Sequence, residues 1–281
     1  MIKVNAHAKL NLCLNITGLN GGYHDLESVV VKVALCDTVK IKKRNDDKIT
    51  LKTSGALKNM PIEKNNAYKS IKLFMEEFKT AGADVKITKR IPIGGGLGGS
   101  SADAAGAIAA MSRLYGVNAN LKPIAEKVGS DTAFQLRGSF AIMRGKGGDL
   151  QYLSPIPTYY VLLSVSDAGV DTGKCYKLYD ELEKTPPADV AAMINALYKR
   201  DLTEIGKNAI NALYIAAKTI NPEVERAYTL MRKLSPATAM TGSGASVYSL
   251  FLSAKDCKKA KKRLKNLGVD CIMTKTAENV R

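Results

Sequence analysis

Eleven consecutive residues, Pro92-Ile93-Gly94-Gly95-Gly96-Leu97-Gly98-Gly99-Ser100-Ser101-Ala102, carry the strongest chemical signal in the chain. Five of the six residues from 94 to 99 are glycine, which costs conformational entropy that an ordinary turn does not require. Glycines let the main chain approach a ligand, and the two serines add hydroxyls. An alanine-rich run, Ala102 to Leu114, follows with high helix propensity. Backbone N–H groups at the start of such a helix face an anion, and phosphate is the expected ligand. The loop is not a Walker motif, because no lysine precedes its serines. Gly94-x-Gly96-x-x-Gly99 satisfies the dinucleotide string, yet no acidic residue between Ala104 and Ala125 could hold a ribose hydroxyl. The protein-kinase pattern fails as well, since the chain has no His-Arg-Asp loop.

The elements around the loop are legible from periodicity. Val4, Ala6, Ala8, Leu10, Leu12, Leu14 and Ile16 alternate with His7, Lys9, Asn11, Cys13 and Asn15, so a strand with one buried face is expected, with Lys9 and Asn11 together on the other. Ser28 to Leu35 reads as an interior strand, and Val39/Ile41 with Ile49/Leu51 as a hairpin about Asn45-Asp46-Asp47. A helix carrying Ala67, Ile71, Phe74 and Phe78 stops at Gly82, and a short strand at Val85 and Ile87 feeds the glycine loop. A short helix from Leu121 to Val128 leads to Gly129-Ser130-Asp131. Strands are expected at 138–144, 159–164, 247–252 and 271–274, with several helices between Tyr176 and Leu234. Pro155 and Pro157 place a domain boundary between 1–153 and 154–281.

The bulk composition bounds the partners. With 46% hydrophobic and 24% charged residues the 281-residue chain has material for a folded core. No apolar run is long enough to span a membrane, and the N-terminus runs into a strand pattern, so a cytoplasmic protein is expected. Five scattered cysteines form no Cys-x-x-Cys pair, and two histidines give no zinc spacing. Any metal must then be held by oxygen, and Mg2+ is the natural candidate. The net charge of +16 calls for an anion, either nucleic acid or a phosphorylated small molecule. Much of the excess lies in Lys255, Lys258, Lys259, Lys261, Lys262, Arg263 and Lys265, which at helical spacing form a solvated face.

The stretch from Pro92 to Ala102 resembles the phosphate loop of the galactokinase, homoserine kinase, mevalonate kinase and phosphomevalonate kinase (GHMP) superfamily. Ala8-Lys9-Leu10-Asn11-Leu12, Gly22-Tyr23-His24-Asp25-Leu26, Gly129-Ser130-Asp131 and Met240-Thr241-Gly242-Ser243-Gly244-Ala245 resemble the branch acting on 4-diphosphocytidyl-2-C-methyl-D-erythritol. The resemblance runs nearly end to end and is weakest from Thr185 to Leu234. It implies an α+β fold of two parts, an N-terminal domain like the ribosomal S5 domain 2 and a ferredoxin-like C-terminal domain. It also implies ATP and Mg2+ as cofactors and phosphorylation of the substrate's 2-hydroxyl on the way to isoprenoid precursors. By the same resemblance Asp131 is the catalytic base and Lys9 its partner, steadying charge on the attacking oxygen. Residues 92–102 and Lys89 contact ATP, supported by Gly242, Ser243 and Gly244. Asn11, Tyr23, His24, Thr172 and Tyr176 contact substrate, with Tyr176 opposite Tyr23 across the cytosine. No metal-ligating carboxylate is assigned, and a homodimer is left open.

Plainer readings stand beside these. Asp131 is a helix cap or turn residue, Lys9 a solvated strand lysine, Gly242 to Gly244 a tight turn, and Tyr23 and His24 ordinary structural residues. Two rival functions remain: another GHMP kinase, of homoserine or mevalonate type, and a basic RNA-binding protein with steeply salt-dependent affinity.

Overall fold

A computed structural model of the chain describes residues 1–55, 60–166 and 168–277. The alternating pattern at the N-terminus becomes β1 (Ile2–Asn20), which turns at Gly21-Gly22 into β2 (Tyr23–Lys43) and pairs antiparallel with it along almost its whole length. The other edge of β2 is shared. Its first half pairs with β5 (Phe140–Gly145) and its second half with β4 (Ala83–Thr88). Outside these lie β6 (Asp149–Tyr152) and β3 (Ile49–Thr53), completing a six-stranded sheet.

This arrangement corrects the expected hairpin of Val39/Ile41 with Ile49/Leu51. Strand β4 lies between β2 and β3, and β3 runs parallel to it, Ile49 opposite Ala83 and Leu51 opposite Val85. Periodicity identifies strands but not their neighbours, and β4 supplies a second row of ladder bonds that a hairpin would leave exposed.

On one face pack α1 (Asn66–Phe78), α2 (Gly99–Tyr115), α3 (Lys122–Val128) and α4 (Thr132–Leu136). The Asn65 side chain caps α1 by accepting from the Ala67 amide at 2.9 Å, and α1 buries Ala67, Ile71 and Phe74 as its spacing requires. The small residues of α2 serve close packing, since a side chain at Gly106 would meet Val39 and Ala6 of the sheet.

The second sheet contains β7 (Tyr160–Val165), β8 (Thr238–Thr241), β9 (Ser246–Phe251) and β10 (Cys271–Lys275), ordered β10-β7-β9-β8 and antiparallel throughout. Helices α5 (Thr172–Glu181), α6 (Val190–Lys199), α7 (Leu202–Asn208), α8 (Tyr214–Ile220) and α9 (Pro222–Arg232) lie between β7 and β8 in the chain, and α10 (Ala254–Asn266) between β9 and β10. Strand–helix–strand–strand–helix–strand in this order is the ferredoxin-like arrangement, here with a helical insert.

The two sheets share one interior. Leu10, Leu12, Ile87 and Ile108 belong to the same apolar cluster as Tyr159, Leu163, Tyr248 and Leu250. Hydrogen bonds cross as well: the Leu14 amide donates to the Ile210 carbonyl at 2.9 Å, and the Tyr248 hydroxyl to the Leu12 carbonyl at 2.8 Å. The boundary expected at 153/154 falls in the extended stretch between β6 and β7. Among the described residues no helix is long and apolar enough to cross a membrane.

Candidate active site

A cleft of about 1100 Å3 lies where the two sheets meet, and Lys9, Asn11, Tyr23, His24, Gly96, Gly98, Asp131, Thr172, Tyr176, Gly242 and Ser243 all line it. Residues separated by more than 200 positions are thus gathered by the clasp of the two sheets.

Glycine is required in the loop for two separate reasons. Gly94, Gly96 and Gly98 adopt φ of +72°, +72° and +68°, conformations that side chains rarely take. Neighbours also press on them. A Cβ at Gly96 would lie 2.5 Å from the Thr241 carbonyl oxygen and 2.9 Å from that of Gly244, and a Cβ at Gly242 would lie 2.8 Å from the Gly96 oxygen. The two glycine turns are therefore back to back. The Leu97 side chain is buried in the core and anchors the loop, while Ile93 is exposed, as is Ser100, with Pro92 and Ser101 half-buried at the loop's ends. Gly98 forms the N-cap of the 17-residue α2, so the amides of Gly99, Ser100 and Ser101 begin the helix without a capping side chain, while that of Ala102 donates to the Gly98 carbonyl at 2.9 Å.

A Cβ at Gly98 would also lie 2.9 Å from Lys9 Cγ, so the loop rests directly on Lys9. The Lys9 backbone amide donates to the Leu97 carbonyl at 3.0 Å. Its ammonium donates to Asn11 Oδ1 and pairs with Asp131 Oδ2 at 3.3 Å. Asn11 is held in turn: its Nδ2 donates to Ser28 Oγ at 2.7 Å, and its backbone amide to Thr241 Oγ1 at 2.8 Å. The plain reading of Lys9 as a solvated strand residue is corrected here, because Lys9 and Asn11 are buried, roofed by the second sheet and the loop. Asp131 does occupy the N-cap position of α4, but its carboxylate makes no capping bond and faces Lys9, with a quarter of the side chain open to the cleft.

Lys89 sits elsewhere. Its ammonium donates to Asp37 Oδ2 and, at 2.6 Å, to Asp103 Oδ2, both carboxylates being buried. Asp37 Oδ1 also accepts the backbone amides of Arg90 and Ile91. The triad thus ties β2, the chain entering the glycine loop, and α2 together beneath the loop's first helical turn. Burial opposes the charge on Lys89, but Asp103 and Asp37 outweigh it and raise its pKa. Burial is the main reason that the Asp103 carboxyl rises to about 7.

At the far end of the cleft the ring lying against Tyr176 is His24, stacked at 4.8 Å between centroids and 30° between planes. Tyr23, expected opposite Tyr176 across the cytosine, is 66% exposed, with the Lys146 ammonium 4.7 Å from its ring centre. His24 Nε2 meets Asp180 Oδ1 at 2.7 Å. Burial pushes the Tyr176 phenol up to about 12, and the negative charge of Asp131 adds to the effect. Thr172 opens α5 and its hydroxyl contacts Ser243 Oγ at 2.8 Å, joining that helix to the second glycine turn.

Sequence reasoning missed Ser28, Thr241, Asp180, Lys146 and Lys177, the last three of which line the cleft. Asp180 lies on α5 one turn after Tyr176, a spacing that could have signalled a shared face. Ser28 and Thr241 act through register and tertiary contact, for which periodicity offers no sign. Among the described residues no three His, Cys, Asp or Glu side chains are grouped to hold a metal ion.

Comparison with known proteins agrees with this geometry. Residues 65–141 match the family described as GHMP kinases N terminal domain, and residues 193–270 match GHMP kinases C terminal. A 4-diphosphocytidyl-2-C-methyl-D-erythritol kinase of Cutibacterium acnes is 34% identical, covering 95% of this chain and 91% of its own. One from Caldicellulosiruptor saccharolyticus is 33% identical over 98% and 97% respectively. The crystal structure of a 4-(cytidine 5'-diphospho)-2C-methyl-D-erythritol kinase superposes with a TM-score of 0.82 at 26% identity, covering 99% of this chain and 100% of that one. Homoserine kinase from Cytophaga hutchinsonii, at 17% identity and a TM-score of 0.72, shares the fold. With relatives this close over nearly the full length, and a glycine loop resting on a lysine–aspartate pair, the chain belongs to the 4-diphosphocytidyl-2-C-methyl-D-erythritol kinase family of the GHMP kinases.

Proposed function

We propose that this chain transfers the γ-phosphoryl group of ATP to the 2-hydroxyl of 4-diphosphocytidyl-2-C-methyl-D-erythritol, with Asp131 and Lys9 as the catalytic pair. The observation that carries this reading is the Lys9 ammonium, held by Asn11 and 3.3 Å from Asp131 directly beneath Gly98. A hydroxyl entering beside that pair has a carboxylate to receive its proton and a cation to stabilise the oxygen as it attacks phosphorus. Asp131, having no capping bond, is free to accept that proton.

The loop from Pro92 to Ala102 would hold the triphosphate through main-chain amides and the hydroxyls of Ser100 and Ser101, with Gly242, Ser243 and Gly244 bracing it from behind. Lys89 would serve the nucleotide from below, fixing the loop's entry through Asp37 and Asp103. Asn11 and Thr172 would position the substrate, and Tyr23, His24 and Tyr176 would receive the cytosine, which needs an aromatic face and a polar edge. In this division of labour residues 1–153 carry the ATP site and 154–281 complete the substrate site. Mg2+ would neutralise the β- and γ-phosphates. Since the described residues gather no three-ligand protein site, Mg2+ would be held chiefly by phosphate and water oxygens.

The reading is tested by ADP release from the purified protein with the cytidyl substrate, mevalonate and homoserine offered separately. Turnover with the cytidyl substrate alone is expected. Turnover with mevalonate or homoserine and none with the cytidyl compound would overturn the assignment.

A further inference from the structure

Apart from the cleft lies a second cavity of about 570 Å3, bounded by the first residues of β1, the middle of β2, α2, the end of α4 and the last strand. Lys3, Lys32, Arg113 and Lys275 line it together with His7, and among its described lining residues there is no carboxylate. Lys32 is the telling member. It is 2% exposed, and among the described residues its ammonium donates to the Gln135 carbonyl alone, at 2.9 Å, with the Phe134 ring 5.6 Å away. A buried ammonium without a carboxylate is costly, and burial accordingly lowers the Lys32 pKa to about 8. Nothing in the catalytic reading uses it. Gln135 lines the same cavity and is 7% exposed; its unpartnered amide nitrogen lies toward Gly98 of the glycine loop. Part of the wall is small and apolar: Ala102, Ala105 and Ala109 on one side of α2.

We infer that this cavity is a second anion site, taking a small diphosphate-type ligand, free or esterified to a short apolar group. Clustered cations supply the attraction, a diphosphate would give the buried ammonium the counter-charge it lacks, and the alanine wall leaves room for an organic substituent. The inference does not rest on the catalytic reading.

The test is calorimetric titration of the full chain with inorganic pyrophosphate, with the cleft saturated by a non-hydrolysable ATP analogue. One pyrophosphate per chain is expected, bound at least tenfold more weakly by Lys32→Met and by the double variant Lys3→Gln/Arg113→Gln, and unchanged in Asp131→Asn. Lys3 and Arg113 are exposed, so the double variant decides the matter even if Lys32→Met does not fold. A monoalkyl diphosphate binding more tightly than pyrophosphate would identify an ester as the ligand, and equal affinity the free anion. No binding with the cleft loaded, or affinity unaltered in the double variant, would overturn the site.

Discussion

The Lys9 ammonium is fixed by Asn11, Asp131 and the overlying Gly98, so three short segments far apart in sequence define one point in space. Strand alternation shows Lys9 and Asn11 on one face, while the pairing of Lys9 with Asp131 comes only from the family resemblance. Their burial was not legible, since the roof comes from β8 and the glycine loop. The aromatic end shows the reverse. Tyr23-His24 stood out as a pair, but only the β1–β2 turn decides which ring points inward, and it is His24 that stacks on Tyr176. Base–aromatic stacking contributes about 1–3 kcal/mol, so Tyr176→Ala or His24→Ala should raise KM for the cytidyl substrate by about tenfold or more. KM for ATP should stay within about twofold. Steady-state kinetics with each substrate varied in turn would check this, and equal rises in both would contradict it.

Among the elements, the glycine loop and the Gly242–Gly244 turn constrain each other, because a side chain at Gly96 or at Gly242 would strike carbonyl oxygens of the other segment. Gly96→Ala combines a left-handed φ with a 2.5 Å clash against backbone, and overpacking of this kind costs about 1–3 kcal/mol. Thermal unfolding should show a lowered Tm, and nucleotide titration at least tenfold weaker ATP binding; unaltered values in both would refute the back-to-back packing. Beneath the loop, Lys89 faces two buried carboxylates, an excess of negative charge that one proton relieves. Asp103 keeps its proton to about pH 7 in the fold but loses it near 3.8 when unfolded. A carboxyl with a raised folded pKa contributes stability below the unfolded value and loses it as pH rises to the folded one. Between about pH 4 and 7 the wild type should therefore lose stability with rising pH, and Asp103→Asn should lack that component; identical pH slopes in Tm would argue against it. Neither Asp37 nor Asp103 was singled out from sequence, since a buried charge pair leaves no periodic trace. Strand β3 escaped its correct pairing for a similar reason: its partner lies some 30 residues downstream.

For the whole molecule, two sheets clasp around one apolar interior and the cleft follows their seam. The sequence placed most strands and the helix after the glycine loop, because each depends on local periodicity. How the sheets meet depends on contacts such as Leu14 with Ile210 and Tyr248 with Leu12, which local pattern does not encode. The positive charge divides the same way. On α10 the seven cations at Lys255, Lys258, Lys259, Lys261, Lys262, Arg263 and Lys265 are all exposed, while Cys257, Ala260 and Leu264 face the core. Changing Lys258, Lys259, Lys261 and Lys262 to Gln should leave kcat/KM within about twofold, whereas a nucleic-acid function would lose affinity steeply. Phosphoryl transfer at the Lys9–Asp131 pair is best probed by measuring ATP binding and ADP release on Asp131→Asn. Binding within about threefold of wild type, with release slowed by about 10²–10⁴ as expected for loss of a general base, is the predicted result. Release at the wild-type rate would contradict it.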